Sequence, residues 1–257
     1  MSFKDYFSGH SSDYARYRPL YPEALFEYLA DLTAHDAAWD CATGNGQVAI
    51  SAERNSEGTA LTPYFNQIYA TDASSQQIDQ AFSHPKISYQ VARAEQTDLA
   101  EHSIDLITVG MAVHWFNFEP FYQEARRVGK SGGAIALFGY GDLEPLPLKE
   151  PANQILEKFY QQITPTWAPE VQYVIEQYQT IPFPFAELPV PKFKMTANWT
   201  IEQLLGYFRS WSATRRYLAQ HGENAIDEFE QNLAAVWDDP HQAILVEWKL
   251  FSRVGRL

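Results

Sequence analysis

Asp40, Gly44 and Gly46, with Asp72 further on, are the residues of this chain whose types and spacing point most directly to chemistry. The first three lie in Ala38-Trp39-Asp40-Cys41-Ala42-Thr43-Gly44-Asn45-Gly46-Gln47, where an apolar run meets an acid and then a small-residue turn. Glycine lacks a Cβ and adopts positive φ, so such a turn lets a ligand approach bare backbone. A helix beginning at Gln47 would offer the unpaired N–H groups of its first turn to the same ligand. The chemistry expected near residue 44 is therefore the binding of a nucleotide-like cofactor.

Two cofactors compete. Gly44-x-Gly46-x-x-Ala49 formally fits the dinucleotide fingerprint of a nicotinamide dehydrogenase. Asp40 argues the other way, because a carboxylate beside the loop repels a pyrophosphate and suits a cationic amino-acid end. S-adenosylmethionine has such an end, with an α-ammonium, a sulfonium and no phosphate. Asp72 closes the run Ile68-Tyr69-Ala70-Thr71-Asp72. An acid there can hydrogen-bond both ribose hydroxyls of either cofactor, or cap a helix that begins at Ala73.

Positioning these residues takes strand–loop–helix units. Strand-like runs at 37–42, 67–71, 86–91, 103–109 and 133–140 alternate with helical patterns near 46–56, 74–82 and 117–128. That alternation predicts right-handed crossovers and an α/β fold, a doubly wound, Rossmann-like, mostly parallel sheet. Tyr21-Pro22-Glu23 opens an earlier helix with Leu25, Phe26 and Leu29 on one face. Prolines become dense after residue 142, with helical pieces near 151–162 and 169–178. A strand over 192–199, helices over 200–237 and a last strand over 243–254 follow. The expected organisation is one domain over 1–257. Residues 1–30 form an N-terminal lid and first helix, 36–141 the cofactor-binding core, and 142–191 with 200–237 a helical cap; 192–199 and 243–254 are the final strands. The awkward segment 55–66 reads as a helix end with a short insertion.

Composition narrows the partners. A formal charge of −13 without a Lys/Arg cluster argues against a nucleic-acid surface. It also means that an anionic substrate must be met by local arginines against an unfavourable field. No apolar run approaches the roughly 20 residues that span a bilayer, and Met1 to His10 carries no signal-peptide core. Cys41, the single cysteine, cannot form an internal disulfide and reads as a small buried hydrophobe. The expected compartment is the cytosol. None of the seven histidines has a partner at metal-ligand spacing, so no metal is expected.

Asp40-x-Ala42-x-Gly44-x-Gly46 resembles motif I of the class I S-adenosylmethionine-dependent methyltransferases, usually D-x-G-x-G-x-G, with Ala42 in place of the first glycine. Asp72-Ala73-Ser74 resembles that family's ribose-binding acid and the start of the next helix. Arg93-Ala94-Glu95 resembles its adenine-contacting segment, with Arg93 where an aspartate is usual. A narrower set resembles the trans-aconitate methyltransferase-like subgroup. It comprises Tyr14-x-x-Tyr17-Arg18-Pro19-x-Tyr21-Pro22, Val113-His114-Trp115-Phe116-Asn117-Phe118 and Phe138-Gly139-Tyr140. Pro165-x-Trp167, Phe208-Arg209-Ser210-Trp211-Ser212 and Glu247-Trp248-x-Leu250-Phe251 complete it. The resemblance implies a seven-stranded sheet with S-adenosylmethionine held by Asp40, Ala42, Gly44, Gly46, Asp72, Ala73, Ala94, Glu95 and Met111. Arg18, whose guanidinium fork matches a carboxylate, is expected on the carboxylate of the cofactor.

The implied activity is methyl transfer to a small molecule, the carboxylate of an organic acid. Such an acceptor is already ionised at neutral pH and needs no general base. The protein's task is to hold the nucleophile in line and exclude water. A hydroxyl or amine acceptor, and a non-catalytic S-adenosylmethionine-binding protein, are the alternatives. His114 and Trp115 follow the fourth strand, whose carboxyl end faces the ligand crevice. Trp115 is expected to wall the methyl group. His114 orients the acceptor, acts as a base for a hydroxyl, or is structural. Arg209 and Trp211, on a cap helix, would present a cation and an aromatic wall to an anionic substrate, or brace the cap. Tyr140 ends the fifth strand and faces the same crevice. No nucleic-acid or membrane partner is expected, and the chain is a monomer or homodimer.

Overall fold

The computed structural model describes residues 17–50, 60–148 and 151–257. The expectations for 1–16 of the lid, for 51–56 of the second helix and for 55–59 of the insertion lie outside them. Five strands run parallel in the order β3-β2-β1-β4-β5. They are β1 (Ala37–Cys41), β2 (Gln67–Asp72), β3 (Ile87–Val91), β4 (Ile104–Gly110) and β5 (Gly129–Leu143). All of β4 except Gly110 is buried, as a central parallel strand covered on both faces must be. The expected doubly wound, Rossmann-like sheet is what forms. A long final strand, β8 (Ile244–Arg256), pairs antiparallel with β5. Two short strands, β6 (Ala186–Leu188) and β7 (Met195–Trp199), pair with opposite ends of β8. The sequence pattern missed β6, which is only three residues long and sits among prolines.

Residues alternate between the two faces along each strand. Ala38, Ile68, Leu106, Ala136 and Phe138 share a core with Leu25, Phe26 and Leu29 of α1 (Glu23–Asp31). Trp39, Ile107, Val109, Ile135 and Leu137 face the other way. There they share a core with Phe121, Tyr122, Ala125 and Val128 of α3 (Phe118–Val128). Between these helices α2 (Ser75–Asp79) is shorter than the 74–82 pattern predicted, ending at a Gln80 C-cap.

The late helices α4 (Pro151–Ile163), α6 (Ile201–Arg209), α7 (Ser212–His221) and α8 (Asp227–Ala235) join the core of the α1 face. Phe159 stacks on Phe229 at 3.9 Å and meets Phe208 edge-on at 5.4 Å, tying α4, α6 and α8 together. Thr200 and Gln203 close a reciprocal capping box at the start of α6. The single helix expected over 169–178 is instead a 3-10 turn, Pro169–Val171, followed by the short α5 (Gln172–Ile175). Gln177 and Tyr178, at φ 53° and 60°, end it. The described part of the 46–56 helix is a run of turns, in which Ile50 N–H donates to Gly46 O at 2.7 Å. No helix among the described residues is long and apolar enough to cross a membrane.

Candidate cofactor and acceptor site

The chain moves outward from β1 to β3, then crosses back to β4 and β5, so the strand order reverses between β1 and β4. Ligands of open α/β sheets bind outside the carboxyl ends of the strands at such a point. A cavity of about 290 Å³ lies there, running as a trough across the strand ends. At the β2–β3 end its wall is Asp72, Ala73, Ala94 and Glu95. Ala42 and Gly44 line its middle, and Met111, Trp115, Tyr140 and Tyr21 line the β4–β5 end.

The loop after β1 holds three left-handed residues within five positions, Ala42 at φ 55°, Gly44 at 59° and Gly46 at 98°. Gly44 lines the cavity, whereas Gly46 is turned toward β3: a Cβ on it would sit 2.5 Å from Tyr89 Oη. Gly44 N–H donates to Asp72 Oδ2 at 2.9 Å, and Ser74 N–H donates to Oδ1 at 2.8 Å. One carboxylate on the cavity wall therefore fixes the loop after β1 and the approach to α2 together. Glu95 is fixed in a similar way, accepting from Asn117 N–H at 3.1 Å and from Asn117 Nδ2 at 3.2 Å.

Asp40 is not on the wall. It is 1% exposed and lies beneath the loop, where the hydroxyls of Thr43 and Thr108 donate to it. Burial pushes its carboxyl up to about 7, against the pull of those hydroxyls and of Ala49 N–H. The sequence argument that gave Asp40 direct contact with a cationic ligand is corrected by this geometry: Asp40 holds the loop's shape from below. What disfavours a pyrophosphate is the wall itself. Asp72, Glu95 and Glu170 are its carboxylates and Arg93 is the guanidinium among its described residues. Arg93 Nε already lies 3.8 Å from Glu95 Oε2. A cationic, phosphate-free cofactor fits such a wall.

At the β4–β5 end Met111, at φ 56°, turns the chain out of β4. Arg18 is behind the wall, with Nη1 donating to Tyr140 Oη at 3.2 Å and Nη2 to Ser210 O at 3.2 Å. His114 is also behind it, buried, with Nδ1 3.0 Å from Tyr178 Oη. Burial lowers its imidazole to about 3, so the ring is neutral. Arg209 and Trp211 are not brought to the cavity. Glu230 of α8 binds Arg209, with Nη2 to Oε2 at 2.8 Å, in a separate cleft. Trp211 stacks on Tyr160 at 5.7 Å and packs on Trp167 at 5.6 Å. Neither of the expected substrate-facing pair lines the cavity: Arg209, at the end of α6, faces Glu230 of α8, and Trp211, just before α7, packs on Tyr160 of α4 and on Trp167. Sequence reasoning missed Tyr21, Asn117 and Glu170 as wall or wall-fixing residues. The first two lay in conspicuous segments; Glu170 carried no local signal.

Residues 39–137 match the methyltransferase domain family. A solved structure, the "Putative Type II Methyltransferase" from Anaeromyxobacter dehalogenans, superposes with a TM-score of 0.81 and is 32% identical. The match covers 93% of this chain and 97% of that one. A "Putative methyltransferase" of Dictyostelium discoideum is 28% identical over 235 residues, 90% of this chain and 86% of the relative. Strand order, trough and these likenesses define a methyltransferase. The chain belongs to the class I S-adenosylmethionine-dependent family, and S-adenosylmethionine is its cofactor.

Proposed function

We propose that the enzyme methylates a small molecule at the β4–β5 end of the trough, with the cofactor's ribose at Asp72. Asp72 and the loop at Gly44 would hold S-adenosylmethionine, which would supply an electrophilic methyl group on its sulfonium to a lone pair of the acceptor. The observation that carries this reading is the polarity of the trough. A backbone-fixed carboxylate stands at one end, and an aromatic chamber of Tyr21, Trp115 and Tyr140 at the other. Trp115 and Tyr21 exclude water from the reacting centre. Tyr140, backed by Arg18, orients an acceptor oxygen.

We take that oxygen as a carboxylate of an organic acid. The reading is supported by Arg18, one residue away from the wall through Tyr140, and by the resemblance to the trans-aconitate methyltransferase-like subgroup. Arg18 thereby takes the part that the sequence gave to Arg209. A hydroxyl or amine acceptor is the second reading, favoured by Glu170 on the wall, where a carboxylate could accept the departing proton.

The test is calorimetric titration with S-adenosylmethionine and S-adenosylhomocysteine, with NAD as control. Transfer of labelled methyl to panels of carboxylic acids, alcohols and amines follows. Micromolar binding of the first two ligands and label in the acids alone is the expected result. Label in alcohols or amines moves the assignment to the second reading. Binding with no labelled acceptor points to a protein that retains the cofactor without catalysis, and NAD binding alone overturns the cofactor site.

A further inference from the structure

His114, the residue with the strongest claim to base chemistry by its place in the chain, is engaged from behind the cavity rather than within it. The 3-10 turn Val113–Trp115 brings its ring 4.7 Å from that of Trp115, centroid to centroid. Its Nδ1 meets Tyr178 Oη at 3.0 Å, a distance that either tautomer satisfies. Tyr178 is fully buried and left-handed, and its N–H donates to Tyr173 O at 2.8 Å. A bulky aromatic at positive φ is held there by the surrounding structure rather than by its own preference.

That surrounding structure is β8. Arg253 Nη1 donates to Tyr178 O at 3.2 Å and to Ile181 O at 2.7 Å. Its guanidinium also pairs with Glu187 and covers the Phe183 ring at 4.7 Å. Phe251, two residues earlier on the same strand, meets the Tyr178 ring edge-on at 5.0 Å. The antiparallel strand thus fixes Tyr178, Tyr178 meets His114, and His114 abuts the tryptophan that lines the trough.

We propose that His114 is a positioning residue, a strut through which Tyr178 and Arg253 hold the Trp115 wall in place. The proposal rests on the reading of the trough as the S-adenosylmethionine site, since Trp115 is read there as a wall of the bound ligand. It replaces the role of base or acceptor-orienting group: the imidazole is not on the wall, and its burial keeps it uncharged. The strut sets an aromatic plane and takes up no proton from the acceptor.

The test uses affinity for S-adenosylhomocysteine by calorimetry. Tyr178→Phe removes one hydrogen-bond partner and is expected to weaken binding about fivefold, the effect of a net hydrogen bond. His114→Ala is expected to do at least as much. His114→Asn places an amide atom where Nδ1 was and keeps the bond to Tyr178 while losing the ring contact with Trp115, so its affinity should fall between those of the parent and His114→Ala. In a Trp115→Leu background Tyr178→Phe should have no further effect, because coupled residues are non-additive. Nitrogen NMR of the imidazole should show His114 neutral from pH 5 to 8. The proposal is overturned if His114→Asn loses as much as His114→Ala, if the Tyr178→Phe loss persists in Trp115→Leu, or if His114 titrates in that range. Failure of the parent protein to bind S-adenosylhomocysteine overturns the cofactor site itself, and this role with it. Thermal unfolding of each variant separates these outcomes from misfolding, and His114→Asn keeps the comparison open should Tyr178→Phe not fold.

Discussion

The two ends of the trough are built by different means. At the β2–β3 end the carboxylates of Asp72 and Glu95 are fixed by backbone N–H groups of Gly44, Ser74 and Asn117, at 2.8 to 3.1 Å. Every one of these residues belongs to the exit of a parallel strand or to the helix start that follows. At the β4–β5 end the links are long-range and made by side chains. Arg18 reaches Ser210 across 192 positions, and His114 reaches Tyr178 across 64. The first end is a consequence of the sheet. The second is assembled from residues far apart in the chain, Ser210 and Tyr178 among them, and so depends on how the late segments pack.

The largest expected effect tests whether the sheet end is as self-contained as its geometry suggests. Asp40 is a buried carboxyl held at about 7, well above its ordinary value of 3.8. A raised carboxyl binds its proton more tightly in the folded chain, so its ionisation opposes folding. That penalty is absent below about pH 4 and grows as pH rises toward 7. Above 7 it levels off at about 4 kcal/mol. Asp40→Asn should lack this fall, and urea unfolding from pH 4 to 8 should show the two stability curves diverging toward high pH. Parallel curves would mean that Asp40 stores no such penalty under the loop.

Asp72→Ala comes next. It removes a charged acceptor from two backbone donors and from the cavity wall, so affinity for S-adenosylhomocysteine should drop roughly 100-fold, about 2.7 kcal/mol. A loss under threefold would remove Asp72 from the cofactor and dissolve the contrast between the ends. Gly46→Ala follows, at about 2 kcal/mol of stability, because alanine is strained at φ 98° and its Cβ meets Tyr89 Oη. Adding Tyr89→Phe should recover part of that loss, since the next ring atoms stand off at 3.4 and 3.5 Å. No recovery would assign the whole effect to φ.

The same contrast explains what could be read from the sequence. Asp40 to Gly46, Asp72 and Glu95 stood out because strand, turn and helix start are local patterns, and each does lie at or just past a strand exit. Even there the side of the loop was illegible: Asp40 points below it and Gly46 toward Tyr89, since alternation along a strand does not say how a following loop folds over. The cap was legible as helices but not in its facing. Arg209 looked like a free cation until α8 brought Glu230 beside it. Tyr178 and Arg253 carried no signal, because their meaning comes from a strand and a loop that are 75 residues apart. Local chemistry announces itself, whereas an assembled wall depends on packing that no window of sequence contains.

The smallest effect probes the contrast most sharply. Tyr140→Phe keeps the ring and removes the hydroxyl that accepts from Arg18. Arg18 keeps its bond to Ser210 O and its place 5.5 Å over the Tyr207 ring, so the cap corner should hold. If the β4–β5 end serves the acceptor, affinity for S-adenosylhomocysteine should stay within about twofold. The KM of the acceptor found in the methyl-transfer screen should then rise about fivefold, the effect of one hydrogen bond of about 1 kcal/mol. If cofactor affinity falls instead while KM holds, Tyr140 and Arg18 grip the carboxylate of the cofactor, as the guanidinium geometry first suggested. The whole trough then belongs to S-adenosylmethionine, and the acceptor must be sought on the side of Trp115 and Glu170.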